Sequence, residues 1–80
     1  MRPNVTLYSR PGCGLCDEAR EVLVSVRARI PFQLREVDIS GDDALERAYG
    51  VRIPVVLVDG EERFEISVDE GELEAAVGGD

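Results

Sequence analysis

Two cysteines separated by two residues are the side chains of this 80-residue sequence that could most readily do covalent chemistry. Cys13 and Cys16 enclose a Gly-Leu dipeptide and follow Pro11 and Gly12. Residues three apart lie on the same side of a helix with Cβ atoms about 5–6 Å apart, whereas a disulfide needs roughly 3.5–4.5 Å. The pair can close if Cys13 occupies the helix cap, where the backbone is not yet helical. The preceding Pro-Gly pair favours that position.

The cap position predicts different chemistry for the two thiols. Unpaired backbone N–H groups at a helix N-terminus stabilise an anion, so they favour the thiolate of Cys13. Arg10 either adds to this effect or attracts an anionic thiol substrate, while Asp17 and Glu18 oppose it. Cys16 falls inside the first turn and is expected to be less exposed. We therefore predict that Cys13 is the attacking nucleophile and Cys16 the resolving thiol of thiol–disulfide exchange.

Other uses of the two cysteines are weaker interpretations but stay open. A structural disulfide around so short a loop would contribute only about 2 kcal/mol and would need an oxidising compartment. A closed zinc site needs four ligands, whereas one chain offers two Cys and no His. We predict no metal site within one chain, and a shared metal site would require a dimer. Inert buried thiols are the third alternative.

Composition limits the remaining chemistry and the partners. The absence of His excludes Ser-His-Asp and Cys-His catalysis, and the absence of Lys excludes Schiff-base chemistry. The net charge is −8, and it arises in residues 59–80, where nine acids face Arg63 alone. Such a chain is repelled by nucleic acid and by anionic membranes, so neither is expected as a partner. With no membrane-spanning stretch and no signal-like segment, we expect a cytoplasmic monomer.

Alternating strands and helices must position the cysteines within a single domain, residues 1–80. The order predicted from hydrophobic periodicity is β-α-β-α-β-β-α, with helices on both faces of a mixed four-stranded sheet in the α/β class. The first two strands should be parallel, and the last two should form a hairpin at Asp59-Gly60. The predicted strands are Val5–Tyr8, Phe32–Ile39, Val55–Val58 and Arg63–Ile66. The first predicted helix runs from Cys13 to about Arg29, the second ends at about Tyr49, and the third ends at Gly78.

Several local features accompany these elements. The apolar phase slips between Leu34 and Val37, which predicts a bulge or a strand end there. Ser40 and Ser67 have the spacing of N-caps for the second and third helices. The inward face of the first helix is predicted to carry these residues: Leu15, Ala19, Val22, Leu23 and Val26.

The sequence resembles a glutaredoxin-like member of the thioredoxin-fold superfamily, in particular the small bacterial proteins with a C-x-L-C active site. The resemblance lies in segments 8–16, 37–39 and 49–55 and in the closing hairpin and helix. It implies a thioredoxin-like fold in which Ile53-Pro54 is cis and packs beside the cysteines. Ile53 would then present its backbone to an extended substrate.

The same resemblance implies roles in binding for two charged residues. Arg10 matches the basic residue that contacts a glutathione carboxylate. Asp69 matches the acidic residue that holds the glutamyl end, although Glu65–Asp69 lacks the usual glycine pair.

We therefore predict a dithiol thiol–disulfide oxidoreductase without a bound cofactor. Its partners would be a disulfide-containing protein or a low-molecular-weight thiol, and glutathione or a thioredoxin-type reductase would re-reduce it. The alternatives are an iron–sulfur or metal-binding module that uses Cys13 across a dimer, and a redox-inactive interaction domain.

Overall fold

Three helices and four strands follow one another along residues 2–78, the part of the chain that the computed structural model describes. Their order is the predicted β-α-β-α-β-β-α, so this prediction is confirmed. The strands are β1 (Asn4–Ser9), β2 (Gln33–Asp38), β3 (Val55–Val58) and β4 (Glu61–Glu65). The helices are α1 (Gly14–Arg27), α2 (Asp43–Tyr49) and α3 (Glu70–Gly78).

The four strands form one mixed sheet in the spatial order β2-β1-β3-β4. β1 pairs with β2 in parallel, whereas β3 is antiparallel to both β1 and β4. β3 is buried and central, as its continuous apolar sequence predicts. Asp59 and Gly60 join β3 to β4 with φ values of 52° and 83°. Left-handed conformations at both positions are what a two-residue type I′ hairpin requires.

The two faces of the sheet are covered differently. α1 and α3 pack on the face to which Val5 and Leu7 point, and together these elements form the buried core. Adjacent residues of a strand point to opposite faces, so Tyr8 lies on the other face, where it stacks on Tyr49 of α2. The core residues are Val5, Leu7, Ala19, Leu23, Val26, Phe32, Val56, Val58, Leu73 and Val77.

The prediction of a break in β2 is wrong. β1 and β2 pair without interruption from Asn4 opposite Gln33 to Ser9 opposite Asp38. Leu34 packs against the core, whereas Val37 lies opposite Tyr8 on the α2 face. The phase of the apolar residues changes because the strand has one apolar residue for each face of the sheet. The irregularity in the sheet lies instead between Val56 and Leu57, where β3 pairs with β4.

The helices differ from prediction in three details. Leu15 is 46% exposed, because Cys16 takes the inward position of the first turn of α1. The N-cap of α2 is Asp42, whose carboxylate accepts the Leu45 N–H, and not Ser40. The N-cap of α3 is Asp69, whose carboxylate accepts the Glu72 N–H, and not Ser67. Each acidic cap offers a side-chain acceptor together with a negative charge at the helix N-terminus. No helix within residues 2–78 is long and apolar enough to cross a membrane.

Candidate active site

Cys13 is the N-cap of α1, as the sequence predicts. Its backbone is extended, with φ −94° and ψ 108°, and its Sγ accepts the N–H of Cys16 at 3.2 Å. Gly12 turns the chain into the helix with a φ of 79°, a left-handed conformation that suits glycine. The Cys13 sulfur thus takes the place that a serine or aspartate oxygen occupies in other helix caps. A thiolate at this position is stabilised by backbone N–H groups that have no partner within the helix.

Cys16 differs from Cys13 in its exposure. Cys16 is completely buried, Cys13 is half-buried, and both are free thiols. Burial raises the pKa of Cys16 to about 11, and the neighbouring Cys13 side chain adds to the increase. A hydrogen bond with the Arg10 backbone and the positive charge of Arg20 oppose it. At neutral pH Cys16 is therefore a protonated thiol beneath a more accessible one.

Pro54 precedes β3 at the end of the sheet where β1 leads into the cysteine-bearing loop. Tyr8 near the end of β1 pairs with Val55 at the start of β3, so residue 54 adjoins the end of β1. Pro54 is buried, Ile53 is half-buried, and the peptide bond between them is cis. The Pro54 carbonyl accepts the N–H of Ile66 at 2.8 Å, which holds the segment after β4 beside the start of β3.

Asp69 follows Ile66 by three residues and has a structural partner of its own. Its Oδ2 accepts the Glu72 N–H at 2.9 Å, which makes Asp69 the cap of α3. Ile66 adopts a φ of 72°, a left-handed conformation that is rare for a β-branched residue. Ile66 therefore occupies a backbone conformation that glycine adopts more readily.

Arg10 forms an ion pair with a residue of α2. Its Nη2 donates to Oε1 of Glu46, and both side chains are 39% exposed. The sequence predicts Arg10 as a substrate contact, and the structure gives this guanidinium an internal carboxylate partner.

A polar network next to the cysteine loop was not predicted. Ser9, which is 3% exposed, donates to Glu36 at 2.7 Å, and Arg20 binds the same carboxylate through Nε and Nη2. The hydrogen bond from Arg20 lowers the pKa of Glu36, and that from Ser9 acts in the same direction. Only the parallel pairing of β1 with β2 brings these residues together. They contribute to the wall of a cavity of about 380 Å³ that is lined by Ser9, Arg10, Pro11, Gly12, Asp17, Arg20, Glu36 and Asp38.

An aromatic stack supports the segment before Pro54 and was also missed. The Tyr8 and Tyr49 rings lie 4.4 Å apart between centroids at an interplanar angle of 15°. The Arg52 guanidinium lies over the Tyr49 ring at 5.4 Å and also pairs with Glu62. These contacts connect the first strand to the loop that ends at Pro54.

The described residues provide no cluster of side chains that is typical of a metal centre within one chain. Within residues 2–78, no group of three or more His, Cys, Asp or Glu side chains is placed to hold a metal ion.

Comparison with known proteins places these features in a family context. Residues 4–78 match the glutaredoxin-like domain family (DUF836). An uncharacterized protein of Mycobacterium tuberculosis is 35% identical over 81 residues, which cover 95% of this chain and 84% of the relative.

Solved structures support the same assignment. A protein of X. campestris is 36% identical, with 95% of this chain and 97% of that chain covered and a TM-score of 0.79. A thioredoxin mutant from Halobacterium salinarum is 25% identical, with 95% and 75% covered and a TM-score of 0.66. The thioredoxin-like fold predicted from the sequence is confirmed.

Proposed function

Because this chain belongs to the glutaredoxin-like domain family, we propose that it is a thiol–disulfide oxidoreductase with Cys13 as nucleophile and Cys16 as resolving thiol. The fold and the Cys13–Cys16 pair support a redox-type function. The observation that carries the specific assignment is the cap geometry, in which the Cys13 sulfur accepts the Cys16 N–H while Cys16 is buried below it.

The first step is attack on a substrate disulfide. The Cys13 thiolate displaces one sulfur of R–S–S–R′, which forms a mixed disulfide between Cys13 and R–S and releases R′–S⁻. The released thiolate then takes up a proton from solvent. Donors at the start of α1 stabilise the attacking anion.

The second step releases the other half of the substrate. Cys16 gives up its proton and attacks the Cys13 sulfur, which forms the Cys13–Cys16 disulfide and frees R–S⁻. The substrate gains two electrons and the protein loses two. Because burial raises the pKa of Cys16 to about 11, this thiol stays protonated until the mixed disulfide has formed next to it. That order prevents the two cysteines from competing for the same substrate.

Substrate contacts are proposed for Ile53, Pro54, Arg10 and Asp69. The backbone of Ile53, beside Pro54, would pair with an extended substrate as an added strand does. Arg10, in the loop that carries Cys13, and Asp69, in the segment after Ile66, would contact polar groups of the substrate. The partner is then a disulfide-containing protein or a low-molecular-weight disulfide.

Turnover requires a reductant, because each cycle leaves the protein oxidised. A low-molecular-weight thiol such as glutathione, or a thioredoxin-type reductase, would reduce the Cys13–Cys16 disulfide. Such recycling suits a reducing compartment, so we propose that the protein acts in the cytoplasm as a monomer.

Two cysteine variants test this mechanism. Cys13→Ser should abolish reduction of a model peptide disulfide, because the nucleophile is lost. Cys16→Ser should accumulate the Cys13-linked mixed disulfide, which intact-mass spectrometry detects as an added half-substrate. The pair controls for the loss of a thiol as such, since one variant blocks the first step and the other only the second. Full turnover by Cys13→Ser would contradict the proposal.

A further inference from the structure

The guanidinium closest in sequence to the nucleophile already has a carboxylate partner within the protein. Arg10 belongs to the loop that carries Cys13, and its Nη2 donates to Glu46 of α2. The planar guanidinium is well suited to carboxylates, and a substrate carboxylate near the reacting sulfur would compete with Glu46 for it. The other guanidinium of this region, Arg20, is held by Glu36 and Asp17.

The surroundings of Arg10 are also electronegative. The cavity beside the cysteine loop is lined by the guanidinium groups of Arg10 and Arg20 together with three carboxylates. Glu46 adds a fourth carboxylate through its pair with Arg10, so negative groups outnumber positive ones. The net charge of the chain, −8, has the same sign. An anionic substrate is therefore repelled at long range, and the two guanidinium groups that line this cavity are already paired with carboxylates. The three lining carboxylates are those of Asp17, Glu36 and Asp38.

We propose that Glu46 determines substrate charge: by occupying Arg10, it makes the site favour disulfides with neutral or cationic groups beside the reacting sulfur over disulfides that carry a carboxylate there. This inference rests on the proposed function, since it concerns the attack of Cys13 on a disulfide. The reaction itself is unchanged. Cys13 forms a mixed disulfide with one half of the probe, and the other half leaves as a thiolate.

Three small disulfides of similar length and different charge test the proposal. They are cystamine, which is cationic, bis(2-hydroxyethyl) disulfide, which is neutral, and 3,3′-dithiodipropionate, which is anionic. The rate of mixed-disulfide formation is measured on the Cys16→Ser variant, which isolates the first step, and divided by the rate of each probe with 2-mercaptoethanol. We expect cystamine to react fastest and dithiodipropionate slowest, with a gap that narrows as salt screens the charges.

Removal of the Glu46 charge should release Arg10. In the same background, Glu46→Gln should raise the normalised rate with dithiodipropionate about threefold to tenfold, because a partly exposed charge-assisted hydrogen bond becomes available to the probe. The rate with the neutral probe should stay the same. Glu46→Ala should give the same result as Glu46→Gln, which guards against an effect of the glutamine itself.

A matched control separates this local effect from the change in net charge. Glu74 lies on α3 and pairs with Arg29, so Glu74→Gln removes the same charge from a distant ion pair. It should leave unchanged the ratio of the rate with the anionic probe to the rate with the neutral probe. Adding Arg10→Gln to Glu46→Gln should cancel the gain. An unchanged ratio in Glu46→Gln, or an equal rise in Glu74→Gln, overturns the proposal while the oxidoreductase function stands. Failure of Cys13 to react with all three probes overturns both.

Discussion

The two faces of the sheet divide the work of the molecule between them. On the face covered by α1 and α3, apolar side chains such as Leu7, Leu23 and Leu73 are completely buried and form one core. On the other face, α2 contributes no buried residue. Its contacts include the stack of Tyr49 on Tyr8 and the ion pair of Glu46 with Arg10.

The difference indicates that stability and substrate recognition can change separately. The contacts that α2 makes reach the loops next to the cysteines, through Glu46 to Arg10 and through Tyr49 to Arg52. Partly exposed polar contacts of this kind are each worth little to folding. Substitutions on the α2 face should therefore alter the site at small cost in stability, whereas those on the α1 face should do the reverse.

The largest effect is expected for Leu23→Ala. Leu23 is completely buried between α1 and the sheet, and loss of its side chain leaves a cavity, so the free energy of unfolding should fall by about 3 kcal/mol. Urea denaturation measures the change. Val24→Ala is the matched control, because Val24 neighbours Leu23 on the same helix but is 54% exposed, and it should cost about 0.5 kcal/mol or less. Equal losses in both variants would contradict the assignment of the core.

The next largest effect is a loss of stability at high pH that arises from the buried thiol of Cys16 in α1. The pKa of Cys16 is about 11 in the folded protein against 9.0 for an ordinary cysteine, so the folded state binds the proton more tightly. Stability from this group is complete below pH 9 and is lost as the pH rises towards 11. We therefore expect the reduced protein to lose stability on the order of 2–3 kcal/mol over this pH range.

Denaturation at pH 8, 9.5 and 11 under reducing conditions measures this loss. The comparison is with Cys16→Ala, which keeps every other side chain but lacks the buried thiol. The variant should show a shallower decline in stability with pH. Parallel declines in the two proteins would show that Cys16 does not carry the effect. The absence of Lys simplifies this test, because no lysine titrates in the range.

Sequence reasoning succeeded where the relevant residues are close in the chain. The Cys13 cap depends on Pro11, Gly12 and one helical turn, and the hairpin depends on the dipeptide Asp59-Gly60. Hydrophobic periodicity was enough for the order of the elements, but it resolves a helix face only coarsely. It assigned Leu15 inward, whereas Cys16, the next residue, is buried instead.

The parts that sequence reasoning missed depend on distant pairings. Ser9 meets Glu36 only because β1 and β2 are parallel in a particular register. The ion pair of Arg10 with Glu46 likewise depends on where α2 lies against the sheet. Charged residues are abundant in the chain, so many pairings were possible and the sequence favoured none of them. The candidate nucleophile could therefore be predicted, whereas the electrostatic setting of its substrate could not.

The smallest change in stability is expected on the α2 face, and it tests whether that face positions the site. Tyr49→Leu keeps an apolar side chain but removes the ring that lies between Tyr8 and Arg52, so the free energy of unfolding should fall by only about 1 kcal/mol. Exchange with a peptide disulfide, measured on folded protein, should nevertheless slow more than in Leu23→Ala, because the loop before Pro54 loses its support. Tyr49→Phe keeps the ring and should match the wild type in both measurements. A Tyr49→Leu protein that exchanges at the wild-type rate would mean that the α2 face, like the α1 face, serves the fold alone.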